Sequence, residues 1–98
     1  MDSDLVEALI EHGNWLREVA PAKAIQAYAA GLLALADQVA ASPAGPLPGD
    51  LRARLRSLLP GIYRAQGEDL ARPADNAAYH ARLSRLSAAI ERAAPKPS

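Results

Sequence analysis

The chain has 98 residues, a formal net charge of zero, no Cys and no Phe, and half of its residues are hydrophobic. That length supports a single hydrophobic core of moderate extent, and without Phe the core has to come from Leu, Ile, Val and Ala, which suits helices that approach closely. The missing Cys excludes disulfides, thiolate nucleophiles and cysteine-based zinc sites together.

It also fits a reducing compartment. The opening Met-Asp-Ser-Asp has no basic segment ahead of an apolar run, so it does not read as a secretory signal. The weakly polar stretch from Ala24 to Ala36 contains Gln26 and is short of the roughly 20 apolar residues of a membrane span. A soluble cytoplasmic protein of bacterial type, with no membrane insertion, is therefore expected.

The zero net charge hides an asymmetry. Residues 1–50 carry Arg17 and Lys23 against seven acids and stand at minus five; residues 51–98 carry nine cations against Glu68, Asp69, Asp75 and Glu91 and stand at plus five. Solvated faces that favour docking of the two halves are one reading of this pattern. A polarised surface that meets a charged partner or a second copy is the other.

In chain order, Asp4 and Glu7 form a capping pair at the start of the first helix. Val6, Leu9, Ile10, Gly13, Leu16, Val19 and Ala20 then recur at three- and four-residue spacing, an amphipathic helix that ends near Ala20. Pro21 suits the first turn of a second helix, in which Ile25, Tyr28, Ala29, Leu32, Ala36 and Val39 line one face and Leu33 and Leu35 widen it. The segment SPAGPLPG, residues 42–49, is a loop.

A third helix starts near Asp50, with Leu51, Leu55, Leu58, Leu59 and Ile62 inward and Arg52, Arg54 and Arg56 outward. Pro60-Gly61 should kink or break it, since an interior Pro costs about 3 kcal/mol. After a turn and a cap at Asp75, Tyr79, Leu83, Leu86 and Ile90 give the last helix a heptad face. The expected fold is an all-α antiparallel bundle of four main helices, at about 4–20, 22–41, 50–71 and 75–93. It forms one domain over residues 1–94, and residues 95–98 are a disordered tail.

Chemistry is sparse. His12 and His80 are the only histidines, and neither has a carboxylate or a second His on its own helical face, so both read as surface or boundary residues. Glu68 and Asp69 would point to different sides of a helix, and the serines lack a glycine-framed elbow. No phosphate-cradling Gly-rich loop is present. No enzyme, cofactor or metal site is expected. Arg52, Arg54, Arg56 and Arg64, with the Arg stripe of the last helix, would be the phosphate contacts of a nucleic-acid binder, against which stand the neutral balance and the lack of a stacking platform.

Two resemblances add to this. Gly13-Asn14-Trp15-Leu16-Arg17-Glu18 followed by Ala24-Ile25-Gln26-Ala27-Tyr28 resembles the helix pair of a tetratricopeptide repeat, whose small residues let paired helices touch. One copy is present where solenoids need about three, so the segment is best read as a helix hairpin. From about Leu5 to Ile90, an acidic first helix, a long Ala/Leu helix, a Pro-rich loop, LRARLRSLL and a last amphipathic helix are similar in layout to the small flagellar type III export chaperones. That resemblance implies a helical bundle that holds the terminal segment of an export substrate on an apolar face.

The function expected is a non-catalytic protein-interaction module, an adaptor, chaperone or regulator. It would take a partner helix or terminal segment in an apolar groove at Trp15, Tyr28, Leu32, Leu35 and Tyr63. The alternatives are a structural homodimer, with its acidic and basic halves paired across subunits, and a nucleic-acid-binding regulator using the Arg-rich C-terminal half.

Overall fold

The computed structural model describes residues 3–19, 22–42, 45–69 and 73–95, with the side chains at 68, 69 and 73–76 outside that description. Helices α1 (Ser3–Val19), α2 (Lys23–Ala41), α3 (Gly49–Arg56), α4 (Leu59–Asp69) and α5 (Pro73–Ala93) make up nearly all of it, and no strand occurs among the described residues. The fold is a small all-α bundle. The expected turn at Ala20-Pro21 and the tail beyond Pro95 lie outside the described residues.

The expected third helix is two helices, and the break falls earlier than Pro60-Gly61. A helical Pro60 would leave the carbonyl of Arg56 without its donor and crowd it. The helix therefore closes at Arg56. Ser57 and Leu58 form a tight turn, with Leu58 N–H donating to the Leu55 carbonyl at 3.1 Å, and α4 restarts at Leu59. Pro60 then sits in a first turn, where its missing donor costs nothing. Pro73 likewise opens α5, which places Asp75 within the first turn and not at the cap.

Capping differs from expectation at α1 as well. Asp4 lies inside the first turn and pairs with Arg85 and Arg92 of α5. Elsewhere side chains close the helix ends. Gln26 Nε2 donates to the Arg17 carbonyl at 3.1 Å, and Ser42 Oγ donates to the Gln38 carbonyl at 2.9 Å. Arg56 Nη1 donates to the Ala94 carbonyl at 2.8 Å, which ties α3 to the end of α5. In the 42–49 loop, Gly45 adopts φ 115°, a region open to Gly, while Leu47 drops into the core.

Helix α1 lies between α2 and α5, while α5 also meets α3 and α4. One buried cluster joins them, with Leu5, Leu9, Leu32, Leu55, Ile62, Leu83, Leu86 and Ile90 at its centre. Each such side chain contributes about 1.5–3 kcal/mol of burial. The buried band of α1 runs through Leu5, Ala8, Leu9, His12, Gly13 and Leu16. It is rotated from the expected face: Ile10 is exposed and Val6 only half-buried, because α2 and α5 flank the helix along the Leu5–Leu9–His12–Leu16 line. Val19 is exposed because it ends the helix.

Gly13 sets the distance between α1 and α2. A Cβ built there would stand 3.1 Å from Leu33 Cγ and 3.3 Å from the Ala29 carbonyl oxygen. Gly31 is the opposite case, on the outer face of α2 with nothing within 4 Å of a Cβ. That outer face, Ala24, Ala27, Ala30, Gly31, Ala34 and Ala41, is exposed throughout. By length and composition α2 is long and apolar enough to cross a membrane, and 28% of that stretch is buried inside the bundle.

The charged halves meet within the chain. Arg85 reaches Glu11 at 2.5 Å, Glu7 at 3.1 Å and Asp4 at 3.2 Å, and Arg82 stands 3.8 Å from Glu11. The acidic ladder of α1 is thus neutralised by the basic ladder of α5.

The two glycines predict opposite outcomes. Gly31→Ala should raise stability by roughly 0.5–1 kcal/mol through helix propensity alone. Gly13→Val should lower it by about 1–3 kcal/mol, because its side chain must push the α1–α2 pair apart. Urea denaturation of the two variants beside the parent checks both signs; a stabilised Gly13→Val would mean that the pair is not in close contact.

Candidate functional site

The apolar stripe of α2 runs through Ile25, Tyr28, Leu32, Leu35 and Val39, and only its C-terminal half is covered. Leu32, Leu35 and Val39 are buried, whereas Ile25 and Tyr28, on the same stripe, are 36% and 39% exposed. The expected register of α2 is therefore correct, but among the described residues nothing buries Ile25 and Tyr28 in its first two turns. A pocket of about 280 Å³ lies there, walled by His12 and Leu16 of α1, Tyr28 of α2, Ile62 of α4, and Tyr79 and Leu83 of α5.

Among the described residues, no charged side chain lines this pocket. Leu58 and Gly61, at the α3–α4 break, complete its wall, so the displacement of the break to Ser57-Leu58 helps to shape the opening. The phenol of Tyr28 is held above its ordinary pKa, by burial first and then by the nearby Tyr79 phenol. It is neutral at pH 7.

His12 is the unexpected member. It is 1% exposed, and its Nδ1 has no hydrogen-bond partner. Its ring is near-parallel to Tyr79, with centroids 5.9 Å apart, and to Trp15 at 6.2 Å; Trp15 stacks on Tyr79 at 5.0 Å. The guanidinium of Arg82 lies 5.2 Å from the Trp15 ring, a cation–π contact that closes the far side of the stack. Burial pushes the His12 pKa down from 6.5 to about 4, the Arg82 charge adds to the shift, and Glu11 opposes it. At neutral pH the imidazole is uncharged, with one nitrogen able to accept a hydrogen bond.

Of the expected site residues, Tyr28 lines the pocket and Trp15 stands behind its wall, half-buried against Tyr79. Leu32 and Leu35 are core residues whose side chains a partner does not reach. Tyr63 is exposed on α4, outside the pocket lining, and its hydroxyl donates to Glu91 of α5. The sequence alone reads His12 as a surface or boundary residue, whereas it is buried. The signal against that was its place in the 5-9-12-16 series, the 4-3-4 spacing of a buried seam.

Among the described residues, the polar groups that line the pocket are two phenols, Ser57 and one buried imidazole. Among the described residues no group of three or more His, Cys, Asp or Glu could hold a metal ion.

The depressed pKa of His12 makes stability depend on pH in a defined window. The unfolded imidazole takes up its proton near pH 6.5 and the folded one near 4, so stability is complete above 6.5 and falls as pH drops toward 4, by up to about 3 kcal/mol. Asp4 acts in a different range. Its pKa is lowered by Arg85 and Arg92, so its contribution is present above 3.8 and is lost as pH falls below that. Urea midpoints measured from pH 7 to 4.5 should decline for the parent and stay nearly level for His12→Phe; equal slopes would show that His12 is not the group responsible.

No protein-family model matches the chain, nor does any curated protein or any solved structure.

Proposed function

We propose that this protein is a small non-catalytic binding module that takes an apolar helix or terminal segment of a partner protein in the groove between α2, α4 and α5. The observation that carries the reading is the interrupted burial of the α2 stripe. Ile25 and Tyr28 continue a line of core residues into a pocket that the described residues do not fill. Uncovered apolar surface of this kind, joined to a preformed cavity, is what helix-in-groove recognition uses. The likeness in layout to export chaperones agrees with such a role, as an adaptor, chaperone or regulator.

Gly61 offers a direct test. It lines the groove, is exposed, and has nothing within 4 Å of an added Cβ. Gly61→Leu should therefore fill the groove without loss of stability, since a helical Gly is replaced by a strong helix former. A pull-down from the native host should retain a stoichiometric protein with the parent and lose it with Gly61→Leu, at unchanged or raised thermal stability. Equal capture by both variants, or no stoichiometric partner at all, would remove the reading.

A second reading, a homodimer, draws on the outer face of α2. Lys23, Ala27, Ala30, Ala34, Asp37 and Ala41 fall at alternating four- and three-residue steps, a seam of small residues with one cation and one anion. In an antiparallel pair with its two-fold axis near Ala30, Lys23 of each copy meets Asp37 of the other. This arrangement differs from the expected pairing of acidic and basic halves across subunits, because the acids of α1 are already engaged by α5. Light scattering at 100 μM should then give twice the chain mass for the parent and a monomer for Ala30→Glu. A monomeric parent at that concentration would dismiss the dimer.

A further inference from the structure

Helix α5 is held in the bundle by different contacts in its two halves. The second half is pinned: Leu86, Ala89 and Ile90 are fully buried, and Arg85 and Arg92 engage Asp4, Glu7 and Glu11 of α1. Among the described side chains of the first half, residues 77–83, only Leu83 is buried. Tyr79 and Arg82 lie instead against the rings of His12 and Trp15, with Arg82 also 3.8 Å from Glu11.

The docking of the first half therefore depends on an imidazole sealed from water. His12 is 1% exposed and its Nδ1 has no hydrogen-bond partner, so the site tolerates a neutral ring and penalises a cation, which would lose its hydration there. Among the described residues, the titratable and charged groups around it are Glu11 on α1, Tyr28 on α2, and Tyr79 and Arg82 on α5. From α4 the pocket wall receives Gly61, Ile62 and Ala65, none of which titrates. Arg82 repels a cation at His12, while the one attracting group, Glu11, is already engaged by Arg85 at 2.5 Å. A protonated His12 needs water, and the ring laid against it from α5 is that of Tyr79.

We propose that the first turns of α5, up to Arg82, form an acid-operated latch: protonation of His12 lifts Tyr79 and Arg82 away from α1 while the second half of α5 stays docked. The ion pairs of that second half persist through the motion, because Arg85 and Arg92 keep Asp4 ionised to below 3.8. Lifting Tyr79 also removes one wall of the groove, so a segment held there is released as the pH falls. This consequence rests on the binding-module reading above, whereas the latch is a property of the chain alone.

Hydrogen exchange of single amides, followed by NMR on the full chain without a partner, tests the latch separately from that reading. Rates are measured at pH 7 and pH 4.5 and corrected for the intrinsic pH dependence of exchange. Protection at Tyr79 and Arg82 should fall roughly 50-fold between the two, as for a group that titrates near 6.5 when open and near 4 when closed. The amides of Leu32 and Ile90 should stay about tenfold or more better protected than that of Tyr79 at pH 4.5. In His12→Phe and His12→Gln, neither of which titrates, protection at Tyr79 should be level between the two pH values.

Equal protection at Tyr79 and Ile90 at pH 4.5 overturns the latch, because α5 then leaves only with the whole bundle. So does a parent whose protection at Tyr79 is unchanged by pH. An equal fall in either folded variant removes His12 as the trigger and overturns the proposal as well.

Discussion

Helices α1 and α2 touch through Gly13, and the rest of the bundle follows from how close that contact is. A Cβ at Gly13 would stand 3.1 Å from Leu33, close enough that the neighbour would have to give by a few tenths of an ångström, so α2 lies directly against α1 and spends one flank on it. A chain without Phe has few ways to fill a wide gap between helices, so the small residues and the narrow spacing belong together. The consequence appears on the other flanks of α2. Its outer side is left as bare Ala and Gly, and Ile25 and Tyr28 in its first two turns stay exposed.

The charge asymmetry of the sequence is resolved at the second contact of α1. Asp4, Glu7 and Glu11 line the side of α1 that faces α5, where Arg85 and Arg92 receive them. Partly exposed pairs of this kind contribute little singly, and what they supply is register, since a sliding α5 would separate several of them together. The docking fixes Tyr79 beside His12 and Trp15. The aromatic wall of the pocket is thus positioned by electrostatics on one side and by apolar packing on the other.

His12 shows what that positioning costs. A Leu in the 5-9-12-16 seam would pack without a polar atom to satisfy, whereas the imidazole is desolvated, held neutral and left with a nitrogen unpaired. Departures from the locally best residue gather at functional sites. Here the departure lies on the wall of the pocket where the α2 stripe runs uncovered.

The helical class, the approximate helix spans, the face of α2 and the heptad face of α5 are legible in the order of residues alone, because each depends on spacing along one helix and on breakers such as Pro and Gly. So is the need for an interruption near Pro60, though not its place. The steric effect of Pro acts on the preceding turn, and the choice of Ser57-Leu58 came with the packing of Leu55, Leu59 and Ile62 into one core. The buried side of α1 and the status of His12 were decided by tertiary structure, since they depend on two neighbours that one helix cannot specify. So was the site. Tyr28 was legible as part of an apolar stripe, but whether a stripe is covered is settled by the reach of the other helices, and here Leu32 and Leu35 are buried while Ile25 and Tyr28 stay open.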